Sequence, residues 1–213
     1  MAPTLRPGLH YRRIQDSYIL FDLLADRYLL LRNRSAEAFE RFTNGSPTRV
    51  DEDHLHRLGL ISGAGKGALP RGVQTVAAVR SLVDTPLTRA GIFPTIASVA
   101  AQRRARRDLG RHPLVQILND ISCPQHDLPV AGGKACRDIA GAFERAKRYV
   151  SGADQCLPRG IAMKRMMSRK GQAVSLVFGV TLPFAAHSWV QAGDLVLTDP
   201  LDVVLHYQPI FAV

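Results

Sequence analysis

A glycine-rich stretch from Gly63 to Gly72 constrains the fold of this 213-residue chain more than any other feature. Its four glycines and one proline favour a loop, because glycine is costly to order and proline lacks an amide donor. No Gly-Lys-Ser or Gly-Lys-Thr follows a strand here, which argues against a phosphate-binding loop. Further breaks occur at Thr85-Pro86 and Phe93-Pro94. The breaks predict three parts, namely a small domain over 1–75, a linker over 76–93 and a larger domain over 94–213.

The small domain is predicted to begin with short strands and to end with short helices. β-Branched, aliphatic and aromatic residues predict strands over Tyr18–Phe21 and Arg27–Leu31. Ser35 is a suitable N-cap for a helix that runs through Phe42. Acidic residues in its first turn favour a second short helix over Asp51–Leu58.

The larger domain is predicted to begin with helices and to end with strands. Apolar spacing predicts the helices, and runs of β-branched and apolar residues predict the strands. The helices are expected over 94–121, 135–150 and 157–169, the strands over 173–182, 187–191 and 195–199, and loops over 123–133 and 151–154. Helices followed by strands, without strict alternation, are typical of the α+β class.

The composition places the chain among ordinary globular proteins. Apolar residues make up 46% of it and charged residues 22%. It has no run of about 18 apolar residues, so we expect no membrane insertion. Met1–Leu9 lacks the apolar stretch of a secretory signal, and we therefore expect the protein to be cytoplasmic.

The formal net charge of +10 predicts an acidic partner, with nucleic acid, an anionic membrane surface and an acidic peptide as candidates. The densest basic cluster lies on the helix predicted after Pro94, and a solvated helix face is the simpler interpretation of it. No aromatic residues interleave with these arginines, so no nucleic-acid partner is expected. The cluster comprises Arg103, Arg104, Arg106, Arg107 and Arg111.

The three cysteines, Cys123, Cys136 and Cys156, include one strong candidate nucleophile. An odd number without Cys-x-x-Cys spacing argues against a disulfide framework and a structural zinc site. A thiol attacks a carbonyl as the thiolate, which the start of a helix favours through its dipole and free amides. Cys156 lies where a helix opens after a break, and those amides also suit an oxyanion hole. Cys136 lies near the start of another helix and stays a rival, whereas Cys123 is predicted to lie in a loop.

A base and an orienting carboxylate for Cys156 are found in the strands that follow. A three-residue hairpin loop over 192–194 would place His187 directly opposite Asp199. Opposed residues share a face with Cβ atoms about 5 Å apart, so Asp199 would accept the Nδ1 proton and leave Nε2 for the thiol. A two-residue loop would put Asp199 on the wrong face. From the residues alone, a surface or core histidine and a turn-forming aspartate stay as alternatives.

Four stretches of sequence in the larger domain favour the catalytic role for Cys156, His187 and Asp199. They are Asp154-Gln155-Cys156-Leu157-Pro158-Arg159, Leu176-Val177-Phe178-Gly179-Val180, Pro183-Phe184-Ala185-Ala186-His187-Ser188-Trp189-Val190 and Thr198-Asp199. In this order they closely resemble the lasso-peptide leader peptidases, which belong to the transglutaminase-like, papain-like cysteine peptidases. The resemblance covers about residues 94–213. Thr198 stands where many relatives have Asn, and Gln191 where many have Glu.

This resemblance implies a fold, a mechanism and partners. The implied fold is a helix-borne cysteine packed on an antiparallel sheet. Cys156 would be the nucleophile, His187 the general base and then acid, and Asp199 the orienting carboxylate. The implied partners are the leader of a lasso precursor peptide, an ATP-dependent, asparagine-synthetase-like lasso cyclase and a peptide exporter. No bound metal or cofactor is expected, and any ATP dependence would come through the cyclase.

Two strings near the start of the chain, Gln15–Asp22 and Asp26–Leu31, resemble strands of the peptide-recognition element found in many systems that modify ribosomal peptides. That element is a small winged helix-turn-helix, of which one helix is missing or reduced here. Its relatives bind the leader as an added strand between their third strand and third helix. The implied leader groove consists of Arg27, Tyr28, Leu29, Leu30, Leu31, Leu55 and Leu58, with a plain core role as the alternative for Tyr28, Leu30 and Leu55.

The hypothesis is a two-domain cysteine peptidase that captures a leader and cleaves the leader–core bond. Three other functions stay open at the level of sequence. The first is acyl transfer to an amine instead of water. The second is a winged-helix DNA-binding regulator, although the acids that open Asp51–Leu58 argue against phosphate contact there. The third is a non-catalytic leader-binding scaffold, for which Cys156 would be dispensable.

Overall fold

The computed structural model describes residues 4–62, 75–87, 90–122, 133–150 and 155–213. The predicted loops over 63–72 and 151–154 lie outside these residues, as do Cys123 and the rest of its predicted loop up to residue 132. The chain separates into two compact units, the N-terminal unit Met1–Gln74 and the C-terminal unit Thr75–Val213. Each unit is described by itself.

The N-terminal unit is built on a three-stranded antiparallel sheet in the order β2-β3-β4. Its strands are β2 (Leu9–Ile14), β3 (Ser17–Asp22) and β4 (Arg27–Leu31), while the short β1 (Thr4–Leu5) pairs with β5 (Ile61–Ser62). The strands predicted over Tyr18–Phe21 and Arg27–Leu31 are confirmed as β3 and β4. Every β3 residue from Tyr18 to Asp22 is buried, because β3 is central and both of its faces are covered.

Two helices close the core of the N-terminal unit, α1 (Asn33–Thr43) and α2 (Arg49–Arg57). Phe39 and Phe42 on α1 pack in the same buried cluster as Leu20 and Leu55. Burying each of these large apolar side chains stabilises the unit by roughly 1.5–3 kcal/mol.

The cap of α1 differs from the prediction. The helix begins at Asn33 rather than after Ser35, so Ser35 is not its N-cap. Ser35 Oγ instead lies 2.9 Å from His54 Nε2 on α2, because a serine inside a helix is free to bond to a neighbouring element. The start of α2 is capped by a reciprocal box in which Thr48 and Asp51 exchange hydrogen bonds.

The C-terminal unit contains a five-stranded sheet in the order β10-β7-β8-β9-β6. All neighbouring strands are antiparallel except β6 and β9. The strands are β6 (Arg80–Ser81), β7 (Ser175–Thr181), β8 (Ala185–Ala192), β9 (Leu195–Val196) and β10 (Gln208–Ala212). The predicted strands over 173–182 and 187–191 correspond to β7 and β8.

Part of the predicted linker over 76–93 forms β6 and belongs to this sheet. Arg80 pairs with Asp194, Ser81 is buried, and Leu82 N donates to the Val196 carbonyl. Strand β6 pairs with a strand more than a hundred residues later in the chain. A two-residue strand is too short to show a hydrophobic period, so the sequence pattern shows only the breaks in this segment.

The described part of this unit also contains five helices: α3 (Ile92–Leu109), α4 (Leu114–Ile121), α5 (Gly133–Ala146), α6 (Cys156–Ser168) and α7 (Leu201–Leu205). Helix α6 is central and packs against α3, α5, β7 and β8. Gly160 allows this close approach, because a Cβ atom there would lie 2.5 Å from Leu176 Cδ1 on β7. Within the residues that the structure describes, no helix is long and apolar enough to cross a bilayer.

Candidate active site

Cys156 is the first residue of α6, and its side chain is half-buried. The first helical hydrogen bond is donated by Arg159 N to the Gln155 carbonyl. The amides of Cys156 and Leu157 therefore precede the helical ladder, and Pro158 has none to offer. Amides at the start of a helix favour an anion beside them. The fold thus places the Cys156 thiol beside the first two backbone amides of α6.

The structure brings His187 and Asp199 to this thiol. His187 lies on β8, which packs against α6, and Asp199 follows β9. His187 Nε2 lies 3.3 Å from Asp199 Oδ1, and the imidazole interacts with the Cys156 thiol. The ring lies beside Trp189 and Tyr207, with centroid distances of 6.4 and 5.2 Å. These aromatic neighbours restrict the positions that the imidazole can take.

The orientation of the imidazole is the reverse of the predicted one. Nε2, and not Nδ1, is the nitrogen that faces Asp199. Nδ1 is therefore the ring nitrogen left for the thiol. The pairing of roles is unchanged, because either nitrogen of an imidazole can carry the transferred proton.

The hairpin that delivers Asp199 also differs from the prediction. Ala192 pairs with Leu195, so the turn has two residues, Gly193 and Asp194, with Gly193 at a positive φ of 57°. In a regular ladder this register would place Asp199 on the face opposite His187.

Asp199 still reaches the histidine because the ladder ends early. Leu197 N donates to the Val190 carbonyl, but the amide of Val190 donates to Thr198 Oγ1 instead of to a backbone carbonyl. The chain then leaves the strand direction, and β9 ends at Val196 instead of continuing to Asp199. Thr198 thus has a defined structural role in this site.

The three groups perturb one another's protonation. Burial raises the pKa of Cys156, but contacts with His187 and with the backbone amide of Ser188 outweigh it and bring the pKa to about 7. Burial lowers the pKa of His187, but its contacts with Asp199 and Cys156 outweigh it and raise the pKa to about 9. Burial raises the pKa of Asp199, yet His187, Thr198 and Arg159 hold it below its ordinary value. The arrangement favours a thiolate–imidazolium pair.

Two residues outside the predicted set hold Asp199 in place. Arg159 Nη1 lies 3.5 Å from Asp199 Oδ1 and donates to the Thr198 carbonyl at 3.4 Å. Ser81 Oγ donates to the backbone carbonyl of Asp199 at 2.7 Å. Arg159 follows Cys156 by three residues on the same helix, so helical periodicity could have pointed to it. Ser81 lies in the predicted linker, where no local pattern marks it.

Gln191 is buried and holds the hairpin through three side-chain hydrogen bonds. It accepts the indole proton of Trp189 at 2.8 Å and donates to the carbonyls of Val76 and Gly193. An amide can accept one bond and donate two, which a carboxylate cannot. Trp189 in turn covers Gly179, where a Cβ atom would lie 2.6 Å from the indole ring.

The rival cysteines have different surroundings. Cys136 lies on α5 and is 1% exposed, and burial raises its pKa, so it is held as a neutral thiol away from solvent. Cys123 lies outside the described residues. Among the described residues, no cluster of three or more His, Cys, Asp and Glu side chains is arranged to hold a metal ion.

Some residues of the predicted leader groove lie in the core of the N-terminal unit and others lie on its surface. Leu31 and Leu55 are buried in the core of the N-terminal unit, and Leu29 packs against that core. Leu30 and Leu58 are 36% and 44% exposed. The remaining two predicted residues are bound within the sheet: Tyr28 stacks on Phe21 with ring centroids 4.7 Å apart, and Arg27 Nε lies 3.5 Å from Asp22 Oδ2.

Comparison with known protein families shows to which family the larger part of the chain is similar. A family model described as the transglutaminase-like superfamily matches residues 97–212, which is more than half of the chain. The matched range contains Cys156, His187 and Asp199. No curated protein and no solved structure was found that matches the chain.

Proposed function

We propose, from the premise that this chain belongs to the transglutaminase-like superfamily, that it is a cysteine peptidase that removes the leader from a lasso-peptide precursor. The observation that carries the proposal is the convergence of Cys156, His187 and Asp199 at the start of α6. The choice of substrate comes from the resemblance of the surrounding strings, such as Asp154–Arg159, to the lasso leader peptidases.

Acylation would begin from the thiolate–imidazolium pair. The Cys156 sulfur attacks the carbonyl carbon of the last leader residue, and the oxyanion that forms accepts hydrogen bonds from the amides of Cys156 and Leu157. His187 gives its proton to the departing core amine, which breaks the peptide bond. Asp199 holds the imidazole from the Nε2 side throughout. The products of this step are a leader thioester on Cys156 and the free amino terminus of the core.

In deacylation the same groups would act again, with His187 first accepting a proton instead of donating one. His187 takes a proton from water, and the hydroxide equivalent attacks the thioester carbonyl. Collapse of the tetrahedral intermediate expels the Cys156 thiolate and leaves the leader with a carboxylate. If an amine took the place of water, the product would be an amide. This is the acyl-transfer alternative that the superfamily premise also allows, and the mass of the leader product separates the two.

In our proposal the N-terminal unit captures the leader as a strand added to β4. Strand β4 lies at an edge of its sheet, so its outer backbone groups are available to pair with an extended peptide. Leu30 and Leu58 offer exposed apolar contacts, while the core residues Leu31 and Leu55 support the strand and helix from inside. Asp51 and Glu52 in the first turn of α2 disfavour a DNA-binding role for this unit.

Joining a recognition unit to a peptidase unit has a kinetic benefit. A leader held by one unit raises the effective concentration of the scissile bond at the other, without any added affinity at the thiol. We place this enzyme in the cytoplasm, acting before an ATP-dependent, asparagine-synthetase-like cyclase that closes the ring and an exporter that removes the product. The peptidase itself would need no cofactor.

A cleavage assay tests the proposal. The precursor encoded beside this chain is incubated with wild type, Cys156→Ala and Cys136→Ala, with and without the cyclase and ATP, and the products are weighed by mass spectrometry. We expect one leader fragment with a free carboxylate from wild type and Cys136→Ala, and none from Cys156→Ala. A leader whose mass shows an amide would make the chain an acyltransferase. Leader binding without cleavage in every mixture would make it a scaffold.

A further inference from the structure

Helix α3 has its polar and apolar sides in an unusual arrangement. The side that faces α5 and α6 buries Thr95, Ser98 and Gln102, and Ser98 Oγ donates to the Ala142 carbonyl of α5 at 3.1 Å. The opposite side exposes large apolar residues, with Ile96 59% and Phe93 86% exposed. A helix of a soluble protein normally turns such residues inward. An exposed apolar side of this kind is typical of an interaction surface.

A groove runs between the exposed apolar side of α3 and the end of α5. We call it the α3 groove. Its volume is about 500 Å³. It is lined by Ile92, Thr95, Ile96, Val99, Arg103, Arg145 and Tyr149. Its floor is aliphatic and concave, which suits an inserted apolar side chain better than a flat bilayer or a planar base.

The α3 groove and the helix beside it carry positive charge without a carboxylate partner. Among the described residues, Arg103, which lines the groove, forms no ion pair, and neither do Arg104, Arg106 and Arg107 on the same helix, although like charges three and four positions apart on a helix repel one another. Arg145 Nη1 donates to the Ala90 carbonyl at 2.7 Å, which fixes that guanidinium beside the groove. A ligand with carboxylates would relieve this repulsion, and a guanidinium pairs well with a carboxylate.

We propose that the α3 groove binds an acidic peptide segment, which inserts an apolar side chain against Ile96 and Val99 and places flanking carboxylates on Arg103 and Arg145. This proposal goes beyond the proposed function and does not rest on it, since none of these residues belongs to the catalytic triad or to β4. It gives the strongly basic helix a role other than solvation.

Fluorescence anisotropy with synthetic probes tests the proposal on the full chain. The probe is a labelled peptide of repeating Glu-Glu-Leu-Leu, and its matched control is repeating Glu-Glu-Ser-Ser. The groove variants are Ile96→Ser and Arg103→Glu. The control variants are Leu205→Ser and Arg169→Glu, which change equally exposed positions that do not line the groove. All four sites are on the surface, and thermal unfolding verifies that the variants are folded.

We expect the leucine-containing probe to bind and each groove variant to weaken it by about tenfold, while the control variants leave it unchanged. The serine-containing control should bind much more weakly. Equal binding of the two probes would overturn the proposal, because charge alone would then explain the association. It would also be overturned if the groove variants changed only the binding of phosphatidylglycerol vesicles or of oligothymidylate, since the surface would then serve a membrane or a nucleic acid.

Discussion

The buried carboxylates of the two units differ in the number and length of their hydrogen bonds. In the N-terminal unit, Asp51 accepts two hydrogen bonds from Arg41, at 2.8 and 2.7 Å, and Asp22 is bonded by Arg6 at 2.6 Å. In the C-terminal unit, Asp199 is also buried, but its contacts are longer. His187 Nε2 and Arg159 Nη1 lie 3.3 and 3.5 Å from Oδ1, and among the described residues neither His187 Nε2 nor Asp199 Oδ2 makes a hydrogen bond.

This contrast separates structural from reactive polar groups. A buried carboxylate that is fully bonded contributes to stability and has little capacity left for chemistry. A buried cluster that combines a thiol, an imidazole and a carboxylate can exchange protons among its members during a reaction, whereas a carboxylate paired with arginine cannot, because arginine stays charged. Cys156, His187 and Asp199 form such a cluster, and Asp22 and Asp51 do not.

The largest expected effect is the loss of the nucleophile. Cys156→Ala should lower the rate of precursor cleavage by about ten-thousandfold or more, because no other group replaces the thiolate. Leader binding, measured by anisotropy, should stay unchanged. Cys136→Ala is the matched control and should keep its activity, since that thiol is buried and neutral. Activity retained by Cys156→Ala would remove the C-terminal cluster from the mechanism.

Replacing one carboxylate in each unit tests the contrast directly. Asp199→Asn should lower kcat by about a hundred- to ten-thousandfold with little change in unfolding, because it removes the charge that orients and stabilises the imidazolium. Asp51→Asn should do the opposite, costing about 1–3 kcal/mol of unfolding free energy with little change in kcat. Chemical denaturation and cleavage rates measure both. Equal losses of activity in the two variants would contradict the contrast.

Replacing Arg159 tests whether its contact with Asp199 Oδ1 is needed for catalysis. Arg159→Met removes the guanidinium but keeps most of the apolar stem, and it should lower kcat by about ten- to a hundredfold through a misplaced Asp199. KM should change little, because the arginine contacts the carboxylate and not the substrate in our proposal. Arg165→Met is a matched control on the same helix, since Arg165 pairs with Asp108 instead. A larger fall for Arg165→Met than for Arg159→Met would exclude this positioning role.

The pH dependence of kcat/KM tests whether Cys156 and His187 form a thiolate–imidazolium pair. The thiolate is lost as pH falls through about 7, the lowered pKa of Cys156, and the imidazolium is lost as pH rises through about 9, the raised pKa of His187. kcat/KM should therefore be bell-shaped between these values and fall about tenfold per pH unit outside them. Alkylation of Cys156 by iodoacetamide follows the acidic limb independently. A rate that is constant across both limbs would mean that the pair does not form.

The smallest effects are expected at the leader surface, where the backbone of β4 provides most of the pairing. Leu30→Ser and Leu58→Ser should each weaken leader binding by about three- to tenfold and leave the unfolding free energy nearly unchanged, because both side chains are exposed. Leu55→Ala is the contrasting variant, and it should destabilise the chain by about 2–5 kcal/mol because Leu55 is fully buried. Unchanged leader binding in both serine variants would place the leader elsewhere.

The sequence predicted elements with a strong local pattern. Strands β3, β4, β7 and β8 and the helix that starts at Cys156 were all evident from their apolar and β-branched residues. Gly193 was recognised as the residue that takes a positive φ in the hairpin, but the length of the turn was wrong by one residue. The pair Gly193-Asp194 has the local signature of a two-residue turn, with glycine at the first central position. The bond from the Val190 amide to Thr198 Oγ1, which accompanies the early end of β9, leaves no such signature.

Long-range contacts were beyond the reach of sequence patterns. Ser81 holds the backbone of Asp199 from a segment that was predicted to be a linker, and its partner lies more than a hundred residues away. The exposed apolar side of α3 was also not evident, since only packing decides which side of a helix is buried. Lasso-peptide specificity came from resemblance and stays a proposal.

The most direct measurement of the central claim is the intact mass of the protein during turnover. Wild type is mixed with the precursor, quenched with acid within one turnover and weighed, and the adduct is located by peptide mapping. The account predicts an added mass equal to that of the leader less one water, attached to Cys156 and absent from Cys156→Ala. Leader release without any adduct on Cys156, or an adduct on another residue, would contradict it.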